Sequence, residues 1–232
     1  MARDYGGQWP SSPEELIAVQ RVLADVDAEP WSPPDDIAAM RVGGCVVCFE
    51  RGSLGPGHTG DRGWAAAVVL RGDQTLETAT VSGVAPAPYL PSLLALREGR
   101  LRARAIEALR SPPDVCLADA TGRDHPRHAG MAVHLGAALG VPTIGVTNRT
   151  LVAAGGSPGT HRFARAPLLV DGTVVGWWLR TRAGAHPVAV HAAWRTDADT
   201  ACRVVMAAVR AHRTPEPLRA ARHAARLARA SG

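Results

Sequence analysis

The residue types best suited to chemistry in this 232-residue chain gather at positions 119–130, Asp-Ala-Thr-Gly-Arg-Asp-His-Pro-Arg-His-Ala-Gly. The segment follows a short apolar run, Val115–Ala118, so the Asp119 carboxylate is expected at the carboxyl edge of a strand. His125 is of the type that polarises a phosphate or orients a water. A second carboxylate, Glu98, sits beside Arg97 in a helical pattern that begins after Pro91. Magnesium takes oxygen ligands and keeps several waters, so acids converging from distant positions are what a phosphodiester-cleaving centre needs. Asp124, next to His125, is the candidate third acid. Taken singly, Glu98 and Asp119 also read as a helix-surface acid and a turn residue.

The elements that must position these groups are legible in outline. Ser12-Pro13-Glu14-Glu15 opens a helix, with serine as N-cap, proline at N1 and a glutamate three residues after the cap. Pro33-Pro34 interrupts the chain. Val42–Phe49 reads as a buried strand, and apolar runs at 64–70 and 75–81 complete an antiparallel meander. After Pro91, helices are expected at 92–109 and 126–139, and strands at 115–118 and 141–146. A glycine-rich stretch (151–165) precedes strands at 168–170, 174–179 and 188–190, and helices at 197–211 and 215–230 close the chain. A meander followed by alternating strands and helices predicts an α/β mixed sheet flanked by helices in one domain. Residues 1–40 form an N-terminal helix and linker, and 195–232 the basic C-terminal helices.

Composition narrows the class. Apolar content of 46% with 20% charged residues fits a soluble globular chain. No stretch reaches the roughly 18–20 apolar residues of a membrane span, and the amino terminus lacks a signal-peptide layout, so a cytoplasmic monomer is expected. The 26 basic residues are all arginine, and the net charge is +5. Eight of those arginines, against three acids, lie in the last 38 residues, which therefore hold the whole excess. A basic end suits a polyanion such as nucleic acid, and it also suits a solvated helix face. Cys45 and Cys48 are spaced as a CxxC pair, but i and i+3 on a strand point to opposite faces, so the four cysteines read as buried thiols.

Seven stretches, in order and in register, resemble the endonuclease V family, enzymes that cut nucleic acid near inosine. They are Gly63-Trp-Ala-Ala-Ala-Val-Val-Leu70, Pro88-Tyr-Leu-Pro-Ser-Leu-Leu-Ala-Leu-Arg-Glu-Gly99, the 119–130 segment, Ala132–Gly136, Gly140–Val146, Val175–Arg182 and Pro215–Leu218. The resemblance implies a ribonuclease H-like fold and magnesium-dependent phosphodiester hydrolysis, with manganese as an alternative cofactor, on inosine-containing DNA or RNA. It places Glu98 and Asp119 on the family's metal-binding carboxylates and His125 on its active-site histidine. Tyr89, between Pro88 and Pro91, falls on the wedge that fills the gap left by an extruded base. Gly130 falls on the lining of the inosine pocket. Arg97 and Asn148 complete the expected substrate-binding positions.

Three family positions are substituted. The aspartate of the first strand corresponds to Val46, and no acid occurs between Arg41 and Phe49. Glu50 shares Val46's face of the strand but lies about 13 Å along it, so Asp124 is the better candidate for rebuilding a metal site. The family lysine corresponds to Asn148, which lacks the charge to neutralise an oxyanion. A family histidine corresponds to Trp194. The expected active-site region carries no compensating charge in the sequence. Three readings follow: a divergent nuclease, a nucleic-acid-binding pseudoenzyme, and the same fold turned to another substrate.

Overall fold

The computed structural model describes residues 9–52 and 56–232. Its centre is one eight-stranded sheet in the order β3-β2-β1-β4-β5-β8-β7-β6. β1 (Val42–Phe49), β4 (Val115–Ala118) and β5 (Thr143–Thr147) run parallel in the middle, and the outer strands are antiparallel. Both faces of the central strands are covered, which explains their continuous apolar runs. Cys45, Cys116 and Ala118 face one core with α1 (Pro13–Asp25), α2 (Leu94–Glu107) and α3 (Met131–Leu139). Val42, Val46, Val115 and Val146 face the other with α4 (Ala198–Ala207) and α5 (Glu216–Ser231).

Local chemistry sets the element ends. Ser12 Oγ accepts from the Glu15 amide at 3.2 Å while the Glu15 carboxylate accepts from the Ser11 amide at 2.8 Å, which fixes the start of α1. α5 buries Pro217, Leu218, Ala221 and Ala225 against β1 and β2. It comes so close that a methyl on Gly44 would lie 2.3 Å from the Pro217 carbonyl, so β1 needs glycine there. Leu218 is thereby packed in the core with Val46 of β1.

The differences from the sequence-based expectation are local. β2 (Arg62–Arg71) and β3 (Gln74–Val84) extend beyond the apolar runs, because β3 is an edge strand whose alternate residues face solvent. α3 starts at Met131, not at 126: residues 125–128 form a tight turn in which the His128 amide donates to the His125 carbonyl at 2.9 Å, and His128 has φ +49°. β6 (Arg165–Val170) and β7 (Thr173–Leu179) form a hairpin that β8 (Val188–Ala192) joins to the parallel centre. Among the described residues no helix is long and apolar enough to cross a membrane.

Candidate active site

The carboxyl ends of β1, β4 and β5 open on one edge of the sheet, the position where parallel sheets carry ligand sites. A cleft of about 840 Å³ lies there, walled by α2, the segments after β4 and β5, and the start of α5. Glu98, Asp119, Tyr89, Pro91, Asn148 and His125 all reach its lining. Pro88, Arg97, Asp124 and Gly130 are not among its lining residues.

Glu98 and Asp119 are brought together by a residue that the sequence reading did not single out, Arg102. One helical turn after Glu98, Arg102 donates to Glu98 Oε2 from Nε at 3.0 Å and from Nη2 at 2.5 Å. Its Nη1 donates to the Cys45 carbonyl of β1 at 2.9 Å and lies 2.7 Å from Asp119 Oδ1, close but off the hydrogen-bond direction. The side chain is 2% exposed. Burial works against the guanidinium's charge, yet Asp119 and Glu98 hold it firmly protonated. Burial likewise pushes the Glu98 carboxyl up, against the pull of Arg102. Arg222 of α5 approaches Asp119 Oδ2 at 3.5 Å from the other side.

These residues do not fit a divalent cation. Both carboxylates already face a guanidinium, and Val46, where a third acid was sought, is 2% exposed in the core with Leu218 and Val146. Asp124 does not rebuild the site. Its Oδ2 accepts from the Leu151 amide at 2.7 Å, and its Oδ1 from the Val152 and Ala153 amides at 2.8 and 2.7 Å. It is an anchor for the loop after β5, with the buried His191 Nδ1 3.6 Å away. Glu50 is exposed beyond the end of β1. Among the described residues no three His, Cys, Asp or Glu gather as a metal site.

His125 is placed for support rather than proton transfer. The Ser92 carbonyl can only accept, so His125 Nε2, 2.9 Å away, carries the proton; Nδ1 then accepts from the Arg127 amide at 3.2 Å. Both ring nitrogens are occupied, and burial lowers the imidazole pKa to about 4. Ser92, at φ +62°, ends the Pro88-Tyr-Leu-Pro91 loop, and its carbonyl also accepts from Gln20 Nε2 of α1 at 3.0 Å. His125 and Gln20 therefore fix the base of the loop that presents Tyr89, which is 39% exposed. Arg97 braces the other end of this loop: it faces away from the cleft, donating to the Ala87 carbonyl at 3.1 Å and pairing with Asp61 at 2.6 Å. Gly130 packs on the backbone of residues 121–122, where a methyl would meet the Thr121 carbonyl at 2.4 Å, and Met131 is the neighbour that lines the cleft.

The missing positive charge is restored from the tail. Arg213 lines the cleft and donates to Asn148 Oδ1 at 2.7 Å, to the His186 carbonyl at 2.6 Å and to the Pro187 carbonyl at 2.7 Å. All three acceptors are neutral, so its charge is not cancelled by them. Arg149 and Arg222 also line the cleft. The expectation of an active-site region without compensating charge is thus corrected, because folding carries part of the basic terminus back over the sheet edge. Trp194 is 2% exposed and packs in the core with α3. Of the residues missed in the sequence, Arg102 had one signal, its i, i+4 spacing from Glu98; Arg213 and Arg222 had none beyond the charge of the tail.

The model of the family described as Endonuclease V matches residues 33–223. Endonuclease V of Nocardia farcinica is 42% identical over 235 residues, covering 96% of this chain and 93% of that protein. The crystal structure of endonuclease V from Streptomyces avermitilis superposes with a TM-score of 0.84 at 37% identity, covering 97% of this chain and 96% of that one. Ciona intestinalis endonuclease V, in complex with a 24mer DNA containing an inosine followed by a ribo-adenosine, shares the fold at 20% identity with a TM-score of 0.77, covering 94% of this chain and 98% of that one. The sheet and its flanking helices are those of the ribonuclease H-like fold of these enzymes, and this chain belongs to the endonuclease V family.

Proposed function

We propose that this protein engages inosine-containing DNA or RNA in the cleft and holds it without the family's magnesium- or manganese-dependent phosphodiester hydrolysis. The observation that carries this reading is the Arg102 guanidinium between Glu98 and Asp119, at 2.5 Å from one carboxylate and 2.7 Å from the other. A guanidinium between the two carboxylates repels a second cation there, and Val46 offers an isopropyl group where an oxygen is required. Binding does not need those groups. Tyr89 stands exposed at the cleft on a loop stiffened by Pro88 and Pro91, suited to replacing the stacking of an extruded base. Arg149, Arg213 and Arg222 supply cations for the backbone.

The test is to incubate the purified protein with end-labelled inosine-containing DNA and RNA in magnesium and in manganese, and to follow both retention and cleavage. Retention with no product is expected. Robust cutting that disappears in Glu98→Ala would overturn this reading and reinstate the nuclease.

A further inference from the structure

Glu98 and Asp119 converge at the cleft from α2 and the end of β4. Left unneutralised, this pair would repel the phosphates of a bound strand as well as each other. The groups around Arg102 form an oxygen set from three elements: a carboxylate of α2, a carboxylate after β4 and a carbonyl of β1. That is the donor chemistry of a divalent cation site, with a planar organic cation at its centre. The guanidinium is 2% exposed, so it lies inside the site and is not a rim charge swinging over it. It is packed in: Cys45, whose carbonyl it engages, is fully buried, and the Arg102 side chain is among the largest buried ones of the described residues.

We infer that Arg102 is a built-in counter-ion that takes the electrostatic place of a metal and, together with Arg222, balances Glu98 and Asp119, so that a strand phosphate meets a neutralised site with no divalent cation present. This rests on the strand-binding reading and adds to it what makes binding independent of metal. Arg102 offsets one of the two negative charges from within, and Arg222, 3.5 Å from Asp119 Oδ2 and one-third exposed, offsets the other from the cleft side. The ligand class is a phosphodiester backbone bound without a metal bridge. Removing the guanidinium should convert the site into one that needs an added cation, because two carboxylates then share a cleft with nothing between them.

The experiment measures the anisotropy of a fluorescein-labelled inosine-containing strand in EDTA and in millimolar manganese. It compares the wild-type chain, Arg102→Leu, and the neutralised variant Glu98→Gln/Arg102→Leu/Asp119→Asn. Wild type should bind equally in both buffers. Arg102→Leu should lose about tenfold or more in EDTA and recover in manganese, while the neutralised variant should bind equally in both. A wild-type chain that requires manganese, or an Arg102→Leu chain that binds in EDTA as wild type does, overturns the inference. Thermal melting without any strand gives a second readout that survives failure of the strand-binding reading or misfolding of Arg102→Leu. The wild-type midpoint should not move with manganese; a rise abolished by Glu98→Gln contradicts the counter-ion.

Discussion

Arg102 Nη1 lies 2.7 Å from Asp119 Oδ1, joining a helix residue to the end of a parallel strand at the point where the sheet opens. Through Glu98 the same guanidinium binds its own helix, and through the Cys45 carbonyl it binds β1. Three elements that line the cleft are thus tied by one buried cation.

Removing one partner of that buried pairing should cost stability. Glu98→Ala leaves Arg102 with only Asp119 and the Cys45 carbonyl, at a cost of about 3 kcal/mol. Chemical denaturation checks this: a loss within error of zero would mean that the ion pair is open to solvent.

Asp124 carries a different load. Asp124→Asn keeps the shape but replaces one acceptor oxygen with an amide that cannot accept from the 151–153 amides. About 2 kcal/mol should be lost, and the loop after β5 should become the first site of limited proteolysis. Unchanged proteolysis would show that the loop does not depend on this anchor.

The buried histidines set an acid limit. Burial lowers His125 and His134 from an ordinary 6.5 to about 4 in the folded chain. Folding therefore favours their neutral form. Their contribution is complete above pH 6.5 and is lost as pH falls from there through about 4. The melting temperature should decline across that window, and NMR should show the His125 ring still neutral at pH 5.5, between those two values. A His125 ring that titrates near 6.5 would contradict its burial and the acceptance of the Arg127 amide at Nδ1.

Tyr89 is exposed at the cleft, and the proposed function uses it only for the ligand. Tyr89→Ala should leave stability within about 0.5 kcal/mol of wild type and weaken binding of an inosine-containing strand by roughly 1–3 kcal/mol. Equal affinity of the two proteins in a titration would remove Tyr89 from the interface.

Much of the scaffold was legible because the signals are local. Ser12 and Pro13 mark a helix start whatever surrounds them, and the apolar runs of β1, β4 and β5 announce strands buried on both faces. The carboxylates were legible by type and by their places on α2 and at the end of β4. What they do was not, because it depends on what fills the space between them. Arg102 looked like one of many helix arginines, and its burial follows from α2 lying against β1. Asp124 stood beside His125 in the chain, yet its partners are the amides of 151–153, brought to it by the fold. His125 likewise reads as a catalytic type until Ser92 and the Arg127 amide occupy both its nitrogens.

The most direct measurement is a manganese titration of the wild-type chain followed by electron paramagnetic resonance, with no nucleic acid present. If Arg102 holds the cation position, the spectrum of free manganese should remain undiminished by the protein. A stoichiometric loss of free signal that Glu98→Gln and Asp119→Asn each abolish would contradict it, and would return these carboxylates to metal binding.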